Sequence, residues 1–122
     1  MTTRRTLTIT MSPDWRAALR QAGEAAQADS YQGETLNFES PGALFGRLTE
    51  RRWALVTALL GQGAMAVREL ARRAGRDVKR VHEDVQVLAE LGLVERDDAG
   101  SVLCPSADVH IDIHVHHENV AA

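Results

Sequence analysis

The sequence predicts an α+β fold, and three patterns carry that expectation. Apolar residues recur at helical spacing through successive stretches between residues 44 and 91. Two short segments rich in apolar residues follow around a tight turn, over residues 93–104. Alternating polar and apolar residues then stand near both ends of the chain, at 5–10 and 109–115, as half-buried strands do.

Taken in order, residues 5–10 place Leu7 and Ile9 on one face of a strand and Thr6, Thr8 and Thr10 on the other. Ser12-Pro13-Asp14 then reads as a helix start: a serine cap, proline at the first helical position and an acid at the positive dipole end. Trp15, Ala18, Leu19, Ala22, Ala25 and Ala26 fall on one stripe of that helix, which residues 29–33 end. Residues 35–39 form a second strand, so the unit permits a right-handed crossover.

Ser40-Pro41-Gly42 is the clearest break. Beyond it Leu44, Phe45, Leu48, Leu55, Val56, Leu59 and Leu60 mark one helix ending at Gly61-Gln62-Gly63. A shorter helix follows over about residues 66–74, with Val67, Leu70 and Ala71 inward. Gly75-Arg76-Asp77 is a tight connection, Asp77 caps a third helix, and Gly92 stops that helix after Leu91. A hairpin turning at residues 97–100 comes next, and the strict alternation of residues 109–117 reads as a last strand. Three helices and a hairpin give the order of a winged helix-turn-helix. That domain is expected over residues 41–105, after a strand-helix-strand extension at 1–40 and before a C-terminal strand and tail at 106–122.

Charge points to a polyanionic partner. The net formal charge of the 122 residues is −3, yet residues 47–80 alone carry +6 while the remainder carries −9. Such clustering is the footprint of a face that meets phosphate. No apolar run approaches the roughly 18 residues of a membrane span. The single cysteine, Cys104, forms no intrachain disulfide, and the first residues lack the apolar core of a secretion signal, so a cytoplasmic chain is expected.

In the third helix Val78, Val81, Val85 and Leu88 share one stripe, which should lock the helix to the core. The opposite side is centred near Glu83 and flanked by Lys79, Arg80, Gln86 and Val87. Its first turn is the part of a recognition helix that enters the major groove. Arg80 suits guanine O6 and N7, and Glu83 suits the cytosine amino group. Arg72, Arg73, Arg76 and Lys79 suit phosphates, and Arg96 on the hairpin suits an adjacent groove or phosphate. Asp97 and Asp98 at the hairpin tip repel phosphate, while His82 and Asp84 are expected to tie the helix to its neighbours.

On the final strand Val109, Ile111, Ile113 and Val115 face one way; His110, Asp112, His114 and His116 face the other. The simple reading is an amphipathic strand that completes a sheet with Leu7, Ile9, Leu36 and Phe38. His110, His114 and His116 are the metal-ligand candidates, but no cysteine pair accompanies them and one strand rarely builds a four-ligand cage. The same histidines would suit a dimer seam that responds to pH. Catalysis is not expected: no phosphate-cradling glycine loop, paired catalytic carboxylates or HExxH is present, and Cys104 reads as a small hydrophobe. No cofactor is expected either.

These residues also carry a family resemblance. Residues 38–115 resemble the MarR-like winged-helix family of archaeal and bacterial DNA-binding regulators. The most specific marks are Gly75-Arg76-Asp77-Val78-Lys79 and Val81-His82-Glu83-Asp84-Val85. Leu36-Asn37-Phe38-Glu39-Ser40, Leu48-Thr49-Glu50-Arg51-Arg52, Val67-Arg68-Glu69-Leu70-Ala71, Leu88 and Gly92-Leu93-Val94-Glu95 accompany them, with a proline-led strand from Pro105 to Val115. The resemblance implies a transcription regulator, in the first instance a repressor, and in an antitoxin version one that autoregulates the operon it shares with a toxin. Some relatives are antitoxins, so a toxin protein joins double-stranded DNA among the implied partners. The histidine-rich tail departs from the pattern, and so does Ala66, where a Ser or Thr cap is expected; the missing cap should cost about 1 kcal/mol. One such domain offers few base contacts, so a homodimer reading a palindrome about one DNA turn apart is expected. The alternative is a winged-helix module that binds a partner protein without specific DNA recognition.

Overall fold

The computed structural model describes residues 5–12 and 33–113. Within them the chain is α+β, with four helices and two three-stranded sheets. The helix expected over residues 13–32 lies outside the described residues, as do Val115, His114 and His116.

Strand β1 (Thr6–Met11) is central in the first sheet, between β2 (Glu34–Phe38) and β6 (Asp108–Asp112), and pairs with both in parallel. The register sets Ile9 opposite Leu36 on one side and opposite Ile111 on the other, so one face of the sheet is aliphatic. Leu7, Ile9 and Phe38 on that face are buried in the same cluster as the helical core. The other face carries Thr8, Thr10 and Asn37. There the Thr10 hydroxyl donates to Asn37 Oδ1 at 2.8 Å, and Asn37 Nδ2 donates to the Ser12 carbonyl at 3.1 Å. The terminal strands therefore complete one sheet, as their alternation suggests. The last strand starts at Asp108 rather than Pro105, because proline has no N–H to give a ladder. The Ala107 N–H makes the entry contact instead, donating to the Arg5 carbonyl at 2.8 Å.

Helix α1 (Pro41–Arg47) begins at the Ser40-Pro41 break: Ser40 Oγ accepts from the Ala43 N–H at 3.1 Å, and proline occupies the first turn. The single helix expected through residue 60 is two helices. Leu48 leaves the helical region, Thr49 Oγ1 accepts from the Arg52 N–H at 3.4 Å, and α2 (Glu50–Leu59) starts afresh with an acid in its first turn. Phe45, expected inward, is 64% exposed.

A two-residue strand that the periodicity does not reveal, β3 (Met65–Ala66), precedes α3 (Val67–Ala74). Ala66 gives α3 no side-chain cap, but its backbone is held in register with Ser101. Gly75 closes α3 at φ 65°, a left-handed value that a side chain would strain, and its N–H bonds back into the last turn. Helix α4 (Val78–Leu91) follows, with the Asp77 carboxylate accepting from the Arg80 N–H at 3.3 Å. Its buried stripe is Val81, Val85 and Leu88. Val78, expected in that stripe, is 42% exposed, because the first turn extends beyond the core.

The hairpin strands β4 (Glu95–Arg96) and β5 (Ser101–Leu103) join β3 in the second sheet, with β5 central. Asp97 builds its turn: the Asp97 carboxylate accepts from the N–H groups of Ala99 at 3.0 Å and Ser101 at 2.8 Å. Leu55, Val56, Leu59, Leu70, Val81, Val85, Leu88, Leu93 and Val102 form one buried cluster behind α3 and α4.

This packing sets a measurable contrast. Leu88→Ala removes a fully buried side chain and should cost about 2–5 kcal/mol of unfolding free energy in urea. Phe45→Ser at its exposed site should cost within about 0.5 kcal/mol. Equal losses would contradict the placement of α4.

Candidate nucleic-acid interface

Helix α4 presents Lys79, Arg80, His82, Glu83 and Gln86 to solvent, all exposed. Lys79, His82, Glu83 and Gln86 line one shallow cleft along it, their spacing of three and four residues placing them on one face. Periodicity centres this face correctly on Glu83. It also includes His82, which was expected to tie the helix inward, in place of Val87, which is partly buried. The signal for His82 was its position three residues after Lys79.

Behind that face a carboxylate holds the helix. Asp84 accepts from Arg52 Nε at 3.0 Å and from Arg76 Nη2 at 2.7 Å. Arg52 also donates from Nη1 to the Arg47 carbonyl at 2.8 Å, at the end of α1. One network thus joins α1, α2, the α3–α4 turn and α4. Burial alone pushes the Asp84 carboxyl upward, but the hydrogen bonds and charges of Arg76 and Arg52 outweigh it, so the group sits below the ordinary carboxylate range.

This placement changes the role expected of Arg76. Its side chain is 19% exposed and engaged with Asp84, so it is a structural anchor rather than a free arm for phosphate. A charged partner eight residues along α4 captures it. Arg72 and Arg73 are also paired, both with Glu69: Arg72 through two nitrogens, and Arg73 Nε at 3.0 Å. The Arg72 hydrogen bond first, then that of Arg73, lower the Glu69 carboxyl to about 2. These two arginines stay at the surface and can exchange Glu69 for a phosphate, whereas Arg76 would have to leave a partly buried pair.

The cations therefore differ in availability, a distinction the sequence did not show. Arg51, Arg68, Lys79, Arg80 and Arg96 make no ion pair among the described residues. Lys79 and Arg80 stand on the first turn of α4, and Arg96 on the hairpin strand β4. Arg52 escaped sequence reasoning because its partner lies 32 residues away.

Elsewhere the chemistry is spare. Among the described residues no group of three or more His, Cys, Asp and Glu side chains could hold a metal ion. His110, of the histidine candidates, is exposed on β6. Cys104 is buried, and burial pushes its thiol upward, away from the reactive thiolate. No helix among the described residues is long and apolar enough to cross a membrane.

A family model described as HVO_A0114 matches residues 47–111, just over half the chain. The match takes in α2, α3, α4, the hairpin and most of β6, and so includes the Asp84 network and the exposed face of α4. No curated protein matches the sequence.

The network predicts a pH signature. A carboxyl lowered on folding contributes stability that is fully present above its ordinary value of 3.8 and is lost as pH falls through its folded value. Asp84→Asn should therefore cost about 2 kcal/mol in urea at neutral pH, with the difference from wild type shrinking below about pH 4. A difference that stays constant into acid would show that the carboxylate is not the element holding Arg52 and Arg76.

Proposed function

The chain belongs to the HVO_A0114 family, and we propose that it is a sequence-specific DNA-binding transcriptional regulator of the winged helix-turn-helix type. In this reading α3 and α4 are the helix-turn-helix, α4 is the recognition helix, and β4 and β5 are the wing. One observation carries the reading. Lys79 and Arg80 make no ion pair among the described residues and stand on the first turn of a helix whose opposite side is pinned by Val81, Val85, Leu88 and Asp84. A rigid helix that offers unneutralised cations at its N-terminal turn has the geometry needed to enter a major groove.

Arg80 then reads guanine, Glu83 reads cytosine, and Lys79, Arg72, Arg73 and Arg96 hold phosphates. Arg76 serves through Asp84 by fixing the angle of α4. Two copies reading a palindrome would supply the contact area that one recognition helix lacks. The resemblance to MarR-like regulators supports a repressor, and in the antitoxin version one that autoregulates its operon and has a toxin as second partner.

A second reading is a protein-binding module, and a specific surface favours it. A largely apolar cleft of about 310 Å³ lies between α1, α2 and β6, lined by Leu48, Trp53, Ile111 and Ile113 with Phe45 at its edge. Such a patch suits a protein partner.

Fluorescence anisotropy with the promoter duplex of the chain's own gene separates the readings. A regulator should bind that duplex above a scrambled one and lose affinity steeply with salt. Arg80→Ala should weaken the promoter complex about tenfold and reduce discrimination, whereas Lys79→Ala should weaken both duplexes alike and flatten the salt dependence. Affinity that ignores both variants would leave the partner-binding reading standing.

A further inference from the structure

We propose that the cleft between α2 and α3 binds a small free oxyanion, a molecule carrying a phosphate or pyrophosphate group. The cleft measures about 520 Å³ and is lined by Arg51, Arg73 and Arg76, with Glu50 as its acidic side chain and Ala54 and Leu55 among its apolar ones. Arg73 is paired with Glu69 and Arg76 with Asp84, so Arg51 supplies the positive charge in the lining that no carboxylate among the described residues has taken up. A concave wall surrounds a ligand in a way that an exposed helix face does not.

Two observations set this cleft apart from an ordinary basic surface. Arg51 makes no ion pair among the described residues, so its guanidinium is available. Arg76 donates from Nη2 to Asp84, but its Nη1 is buried with no acceptor in the structure. Buried guanidinium nitrogens normally have acceptors. The forked donors of arginine match the oxygens of a phosphate, and an oxyanion in the cleft would lie beside the Arg76 guanidinium, where a small movement of that side chain would bring Nη1 to the acceptor it lacks. Arg73 donates to Glu69 and Gln62 from the same side, on partly exposed bonds that a ligand can replace.

The site goes beyond the DNA-binding reading and does not require it, although Arg73 is common to both. None of its lining residues belongs to the outward face of α4. The same chemistry could come from the phosphodiesters of a duplex, so the test distinguishes the two sources.

Titration calorimetry of the full chain with pyrophosphate, and separately with inorganic phosphate, at fixed ionic strength is the direct measurement. The expected result is one-to-one binding of at least one anion, weakened about tenfold by Arg51→Ala. Arg68→Ala removes the same charge from an exposed position outside the cleft and should leave the binding unchanged. Arg51 is exposed, so its variant should fold normally. No binding of either anion, or equal weakening by both variants, overturns the proposal. Binding of a duplex but of neither anion, with Arg51→Ala weakening the duplex, assigns the cleft to DNA phosphate and overturns the free ligand.

Discussion

One carboxylate fixes the working geometry of this protein. Asp84 lies between Arg52 and Arg76, and through them α4 is joined to α2, to the turn before it and to the end of α1. Partly buried ion pairs of this kind add little net stability compared with apolar packing, because desolvation offsets the attraction. They are directional, however, and the aliphatic stripe is not. Val81, Val85 and Leu88 can hold a helix against the core, while the fork of two guanidiniums on Asp84 restricts its rotation and tilt. The face that carries Lys79, Arg80, His82, Glu83 and Gln86 inherits its direction from that arrangement.

The basic segment between residues 47 and 80 now divides into three populations, with Arg47 near Glu90 at the surface. Arg52 and Arg76 are committed inward, and Arg72 and Arg73 lean on Glu69 at the surface. Lys79 and Arg80, with Arg51, Arg68 and Arg96, face solvent without a carboxylate partner among the described residues. A local charge of +6 is therefore a poor measure of how many cations a ligand meets, since the pairing of each side chain decides that.

Local rules made much of this legible. The glycines at 75 and 92, the Asp77 cap and the aliphatic spacing of α4 depend on near neighbours, and each appears where the sequence puts it. The alternation of residues 5–10 and 109–113 likewise implies strands that share one aliphatic face, and they do. Features set by distant partners were not legible. The capture of Arg76 depends on Asp84 lying at hydrogen-bond distance in space, and β3 exists because β5 passes beside it. The division between α1 and α2 was local, in the Thr49 cap, but the continuing leucine pattern obscured it. Val78 shows the limit of periodicity: its place on the stripe is right, yet the core ends before it.

The proposed regulator would meet nucleic acid through the outward face of α4. Backbone amide NMR during titration with the promoter duplex tests it residue by residue. The largest shifts should fall at Lys79, Arg80, His82, Glu83 and Gln86, with a smaller set at Arg96. Shifts that bypass α4 and gather at Phe45, Trp53 and Ile111 would contradict it.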